Sequence, residues 1–213
     1  MTRLKLYYQI APSKSTSPGP HPVIFLLHGR GADETDLLDV TSHFNSRFIC
    51  ISVRAPFRFP YGGYTWFDLE PSGTFNIDQL LESQEAFFQF LDTLPFDGGF
   101  NRSRVFLLGF SMGAMMAFSL ALQQPDRFKG IIAHSGLLPK HDRLQYQWDR
   151  LNGISFFIAH GTYDPVVQVN FSREAQRQLA EKKASVEYRE YPIQHSMSEE
   201  SLIDISTWIH RQL

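Results

Sequence analysis

Short apolar runs rich in β-branched and aromatic residues alternate with helical patterns along almost the whole of this 213-residue sequence. Strands are expected at residues 23–28, 48–53, 105–110, 130–134, 154–160 and 186–191. Most of these runs are continuous rather than alternating, the pattern of parallel strands covered on both faces. Residues 4–10 add a candidate antiparallel edge strand. Helical spacing falls at 36–43, 78–94, 112–124, 169–182 and 198–211, with Asp33 as the expected N-cap of the first. In the segment 78–94, Leu80, Leu81, Phe87, Phe88 and Leu91 lie near helical spacing and would face a sheet. Such alternation points to an α/β fold with an open, doubly wound, mostly parallel sheet.

The loops at 11–22 and 62–73 are the long irregular stretches, and no repeat or break in composition divides the chain. One domain over residues 1–213 is therefore expected. Its 43% hydrophobic and 20% charged residues suit a full core. A formal net charge of −2 leaves no electrostatic footprint for nucleic acid or an acidic membrane surface. The N-terminus lacks the apolar run of a signal peptide and no segment is long enough to span a bilayer, so a cytoplasmic location is expected. The one cysteine, Cys50, sits inside the run RFICISV and reads as a buried structural thiol.

The segment 105–117, VFLLGFSMGAMMA, contains G-x-S-x-G as Gly109-Phe110-Ser111-Met112-Gly113. Four apolar residues precede it as a strand, and an Ala/Met/Leu helix follows. This context fits a serine nucleophile on a strained strand-to-helix turn, with Oγ projecting from the sheet edge. The alternative is a glycine-rich turn with an incidental serine. The helix N-terminus at Met112 would face the place where negative charge develops on a substrate oxygen.

In an α/β-hydrolase arrangement the partners follow in the order nucleophile, acid, histidine. Of the histidines after Ser111, His134 and His160 close apolar strands and read as satisfied buried imidazoles. His141 lies in a polar loop, and His210 in the last turn of the final helix. His195 stands between the last strand and the last helix, where a loop can deliver a general base. Asp164 follows the preceding strand and is fixed by Pro165, which makes it the candidate acid over Asp142 and Asp149. The first core strand runs into His28-Gly29-Arg30-Gly31, so the backbone N–H groups of Arg30 and Met112 are the candidate oxyanion donors. His28 is expected to brace that loop.

Taken together, these motifs resemble the phospholipase/carboxylesterase family of α/β-hydrolases, which includes acyl-protein thioesterases and small bacterial carboxylesterases. The matching stretches are Leu27-His28-Gly29-Arg30-Gly31, Ala55-Pro56, Tyr64-Thr65-Trp66-Phe67-Asp68, the serine motif, His160-Gly161-Thr162-Tyr163-Asp164-Pro165-Val166 and His195. The resemblance implies hydrolysis of carboxylic esters or thioesters through an acyl-enzyme, with no metal or organic cofactor and a small-molecule ester as substrate. Arg30 stands where thioesterase members usually carry an apolar residue, and the bacterial esterase branch is the closer match. The competing readings are a hydrolase of another acyl bond, such as a lactone or amide, and a non-catalytic binding protein on the same fold.

The connection 135–153 is too short for a cap domain with its own core. The acyl pocket is therefore expected to be open and shallow and built from loops, with 61–75 as the main contributor. Tyr64, Trp66 and Phe67 are the candidate substrate-binding residues, although Trp66 is also expected to pack the loop onto the domain. Short to medium acyl chains follow.

Overall fold

The computed structural model describes residues 4–15, 19–44, 46–70, 74–94 and 100–213. In chain order the elements are β1 (Tyr8–Ala11), β2 (His21–Leu27), β3 (Ile49–Val53), β4 (Phe57–Arg58), β5 (Tyr64–Thr65), α1 (Ile77–Thr93), β6 (Phe100–Phe110), α2 (Met112–Gln123), β7 (Gly130–His134), β8 (Ser155–Gly161), α3 (Asn170–Glu181), β9 (Ser185–Tyr191) and α4 (Glu199–His210). Seven strands form one sheet in the order β1-β3-β2-β6-β7-β8-β9. Only β1 runs antiparallel to its neighbour; the other pairings in that sheet are parallel.

The continuous apolar run of β2 explains why this sheet needs helices on both faces. Val23, Phe25 and Leu27 point into a core shared with α1, α2 and α3. Ile24 and Leu26 point into a second core with Ile205, Trp208 and Ile209 of α4. Helix α2 lies inside the larger core, with every residue from Met112 to Leu122 buried. A helix apolar all round is stable only when enclosed in this way. No helix among the described residues is long and apolar enough to cross a membrane.

From β2 the sheet extends through β3 to β1 on one side, while β6 leads to β7, β8 and β9 on the other. Leu27 pairs with Gly109 at the carboxyl ends of these two central strands. The loops after β2 and β6 therefore meet at the topological switch point, where open α/β sheets leave a crevice for ligands.

Several elements differ from the sequence expectation. Residues 36–43 form turns and a short 3-10 helix, Asp39–His43, rather than an α-helix. Asp33 does not cap it: its Oδ1 accepts from the Thr35 amide and hydroxyl, closing a local turn. Thr41 and Ser42 likewise donate to nearby carbonyls, and such local bonds compete with regular helix. The edge strand occupies 8–11, and β6 begins five residues before the apolar run that announced it. β4 and β5 form a small antiparallel pair that the sequence did not announce, with β5 inside the 62–73 stretch expected to be irregular.

Candidate active site

Ser111 sits between β6 and α2 with φ 55° and ψ −118°. A non-glycine residue held there carries backbone strain of about 1–3 kcal/mol, which the surroundings must enforce. They do so by close approach. A Cβ on Gly109 would overlap the Gly113 carbonyl, and a Cβ on Gly113 would overlap the Leu27 carbonyl. The two motif glycines thus let strand, turn and helix crowd together. The Ser111 amide donates to the His134 carbonyl at 2.9 Å, tying the turn to the end of β7.

His195 lies in the loop between β9 and α4. The Thr162 amide donates to the Tyr191 carbonyl and the Tyr163 amide to the Ile193 carbonyl, at 2.8 and 3.0 Å. These bonds lace the loop after β8 to the loop after β9. His195 Nδ1 is 2.6 Å from Asp164 Oδ2, and its Nε2 is 2.9 Å from Ser111 Oγ. A carboxylate only accepts, so Nδ1 carries the ring proton and Nε2 is left to accept the serine hydroxyl. The Phe110 ring packs against the imidazole at 4.9 Å.

The Asp164 side chain is fully buried. Its Oδ1 accepts from the Val166 and Val167 amides at 2.8 and 2.9 Å, the turn that Pro165 makes rigid. Burial opposes its charge, yet the hydrogen bonds from His195, Val167 and Val166 outweigh that and hold the carboxyl below its usual value. Ser111, Asp164 and His195 are thus brought together as the sequence suggested. Asp142 and Asp149 are exposed and belong to the segment between β7 and β8.

The loop after β2 passes beside Ser111: a Cβ placed on Gly29 would be 3.4 Å from the Ser111 Cβ. His28 is buried. Its Nδ1–H donates to the Gly29 carbonyl at 2.7 Å, and its Nε2 accepts from the Ala55 amide at 3.0 Å. Burial keeps this ring below the usual histidine range, a neutral brace as expected. Arg30 and Met112 both border the cavity that contains Ser111 and His195. Met112 opens α2, so its amide has no helical partner.

Tyr64, Trp66 and Phe67 do not border that cavity, contrary to the expectation that they bind substrate, while Trp66 packs the loop onto the domain as also expected. Trp66 and Phe67 are fully buried. Trp66 Nε1–H donates to the His28 carbonyl at 3.0 Å, the partner a buried indole requires. Tyr64 exchanges backbone bonds of 2.8 Å with Gly31 and Ala32, and its hydroxyl accepts from Arg54 at 3.0 Å. Arg54 in turn holds Glu34 through two hydrogen bonds. These aromatics fix the Gly29–Arg30 loop from behind instead of touching its contents.

The cavity has a volume of about 920 Å³ and mainly apolar walls. Leu69 and Phe75 come from the loop before α1, Leu137 and Leu138 from the segment after β7, and Phe171 and Ala175 from α3. Besides Leu69, Thr74 and Phe75, residues of the segment after β7 and of the first turns of α3 line it, so it is bounded by more of the chain than the expected loop alone. The sequence did carry a signal for these walls: apolar residues immediately after strand ends, and Phe171 in a first helical turn.

The chain resembles known proteins in sequence and in fold. A family profile described as Phospholipase/Carboxylesterase matches residues 11–213. The chain is 31% identical over 163 residues to MhqD of Bacillus subtilis (strain 168), covering 76% of this chain and 80% of that one. It is 28% identical over 159 residues to acyl-protein thioesterase 1 of Debaryomyces hansenii, covering 70% and 68%. The crystal structure of the Bacillus cereus carboxylesterase superposes with a TM-score of 0.85 at 27% identity, covering 98% of this chain and 95% of the other.

Proposed function

Because the chain belongs to the phospholipase/carboxylesterase family, whose members are α/β-hydrolases acting on acyl esters, we propose that it is a serine esterase with Ser111 as nucleophile, His195 as general base and Asp164 as the acid that orients the base. The observation that carries this reading is the continuous line Ser111 Oγ–His195 Nε2, 2.9 Å, and His195 Nδ1–Asp164 Oδ2, 2.6 Å.

In the proposed reaction, Ser111 Oγ attacks the ester carbonyl as its proton passes to His195 Nε2. The carbonyl oxygen, now anionic, takes hydrogen bonds from the Arg30 and Met112 amides, aided by the N-terminus of α2. Anionic Asp164 stabilises the imidazolium and keeps its tautomer. Collapse of the tetrahedral intermediate breaks the acyl C–O bond, and His195 returns the proton to the leaving alkoxide. Water then attacks the acyl-Ser111, giving its proton to His195, and the second collapse releases the carboxylic acid and restores the serine hydroxyl. Thioesters react by the same attack, with a thiol leaving.

Side chains and amides of one chain supply every proton transfer and charge in this scheme, so it calls for no metal or organic cofactor. The proposal includes a one-domain cytoplasmic enzyme without a cap. The cavity lies within the size range of small-molecule sites, and its apolar walls suit an acyl chain of short to medium length. Each methylene the walls cover adds about 0.8 kcal/mol, and the gain stops where the walls end. A p-nitrophenyl ester series from acetate to palmitate tests this. The expected kcat/KM peaks at short or medium chains, with no jump when an interface is added. A steady climb to palmitate, or interfacial activation, would contradict it.

A further inference from the structure

His160, next to last in β8, looks at first like an ordinary satisfied core histidine: its side chain is fully buried. Two of its three partners, however, Asp164 and Val167, belong to the candidate site. Nε2 is 2.7 Å from the Val167 carbonyl and 3.3 Å from Asp164 Oδ2, the same oxygen that His195 holds from the other side. Nδ1 is 2.5 Å from Ser172 Oγ in the first turn of α3, and that hydroxyl stands 3.1 Å from the Gly136 carbonyl. Val167 and Gly136 both border the cavity, and the Val167 amide is one of the two donors to Asp164 Oδ1.

The tautomer follows from these partners. A carbonyl and a carboxylate face Nε2, and both only accept, so Nε2 carries the proton, while Nδ1 shares the single Ser172 hydroxyl proton with the Gly136 carbonyl. Burial, the largest influence, holds His160 below the usual histidine range against the pull of the Val167 carbonyl and Asp164; His195 opposes its charge and Glu190 favours it. The ring is therefore a neutral donor. A second imidazolium here would compete with His195 for the charge of Asp164; a neutral ring holds the carboxylate without taking it.

We propose that His160 is a positioning residue, which keeps the Asp164 carboxylate aligned with His195 by gripping the Val167 carbonyl and backing Asp164 Oδ2. This inference rests on the reading of Asp164 as the orienting acid. If it is right, removing the grip disturbs Asp164 more than the Val167 and Gly136 edges of the cavity, so the rate should suffer more than binding.

The test compares His160→Phe, His160→Asn and His160→Gln with Asp164→Asn on a soluble p-nitrophenyl ester, with thermal unfolding of each variant recorded. Gln can place a donor near the position of Nε2, whereas Asn is too short to reach the Val167 carbonyl and Phe has no donor. The expected result is a kcat lowered roughly 10- to 100-fold in the Phe and Asn variants, which both lack the buried donor at the Nε2 position, with KM within about threefold of wild type. Gln should recover most of that loss. Should the Phe variant fail to fold, the Asn and Gln pair makes the same comparison. Wild-type kcat in a folded Phe or Asn variant, a Gln variant no better than Asn, or a change carried by KM would overturn the inference. The Asp164→Asn control separates the two failures. If it loses rate while the His160 variants do not, only the role of His160 falls; if it keeps wild-type rate, the reading of Asp164 falls and this inference with it.

Discussion

Asp164 Oδ2 stands 2.6 Å from His195 Nδ1, while Asp164 Oδ1 is already occupied by two backbone amides. The turn thus anchors one carboxylate oxygen, and the other sets the imidazole. Asp164→Asn should preserve this shape but present an amide to Nδ1, favouring the tautomer with its proton on Nε2. The expected loss in kcat is about 10²–10⁴-fold. An Asn variant with nearly wild-type turnover would mean that another aspartate serves as the acid.

His134 gives the fold a pH dependence of predictable sign. Burial, with His160 and His195 opposing its charge, pushes this imidazole from 6.5 down to about 3. Below pH 6.5 the unfolded chain therefore binds a proton that the folded chain refuses. The stability contribution is complete above pH 6.5 and declines as pH falls toward 3. Asp164 acts in the same direction at lower pH, since its folded carboxyl lies below 3.8 and its contribution is lost as pH falls through the folded value. Denaturant unfolding measured from pH 7 to pH 3 should show falling stability. His134→Gln should flatten that slope by up to about 1.4 kcal/mol per pH unit. Parallel slopes for the two proteins would contradict the assignment.

The Arg30 amide, not its side chain, is the proposed oxyanion donor. Arg30→Pro removes the N–H and should cost about 3 kcal/mol of transition-state stabilisation, beyond any strain the ring introduces. Arg30→Leu keeps the amide and should retain most of the turnover of a neutral ester. The check is kcat/KM for both variants, and equal values would place the second donor elsewhere.

Leu137 is half-buried and borders the cavity from the segment after β7. Leu137→Trp should fill part of the acyl space and move the optimum of the ester series to shorter chains, with acetate hydrolysis little changed. The change in wall area predicts about 0.8 kcal/mol lost for each methylene displaced. An unchanged chain-length profile would show that the acyl chain lies against another wall.

The sheet was legible because its information is local. Val23–Leu27 is apolar at every position, and that alone demands a strand covered on both faces. Gly109, Ser111 and Gly113 were legible for the same reason, since a crowded strand-to-helix turn needs small residues at fixed offsets. The packing of Trp66 was legible, but the substrate-binding role expected of Tyr64, Trp66 and Phe67 was not met, because aromatic residues in a loop announce burial but not direction. What turns Trp66 inward is its bond to the His28 carbonyl, 38 residues away in sequence. The 36–43 segment shows a related limit: its helical spacing is genuine, but Asp33, Thr41 and Ser42 spend their side chains on local turns. The cavity walls were hardest to read, because Leu69, Leu137 and Phe171, far apart in sequence, line one cavity only once the chain has folded.

The most direct test of the central claim is covalent trapping of the nucleophile. A fluorophosphonate probe should add one equivalent to the wild-type protein, and peptide mapping should place the adduct on Ser111. Ser111→Ala should take up no probe and lose ester turnover by a factor on the order of 10⁶ in kcat, with its thermal unfolding close to wild type. Labelling of a different residue, or a clean, folded Ser111→Ala preparation retaining more than roughly a tenth of wild-type activity, would contradict the account.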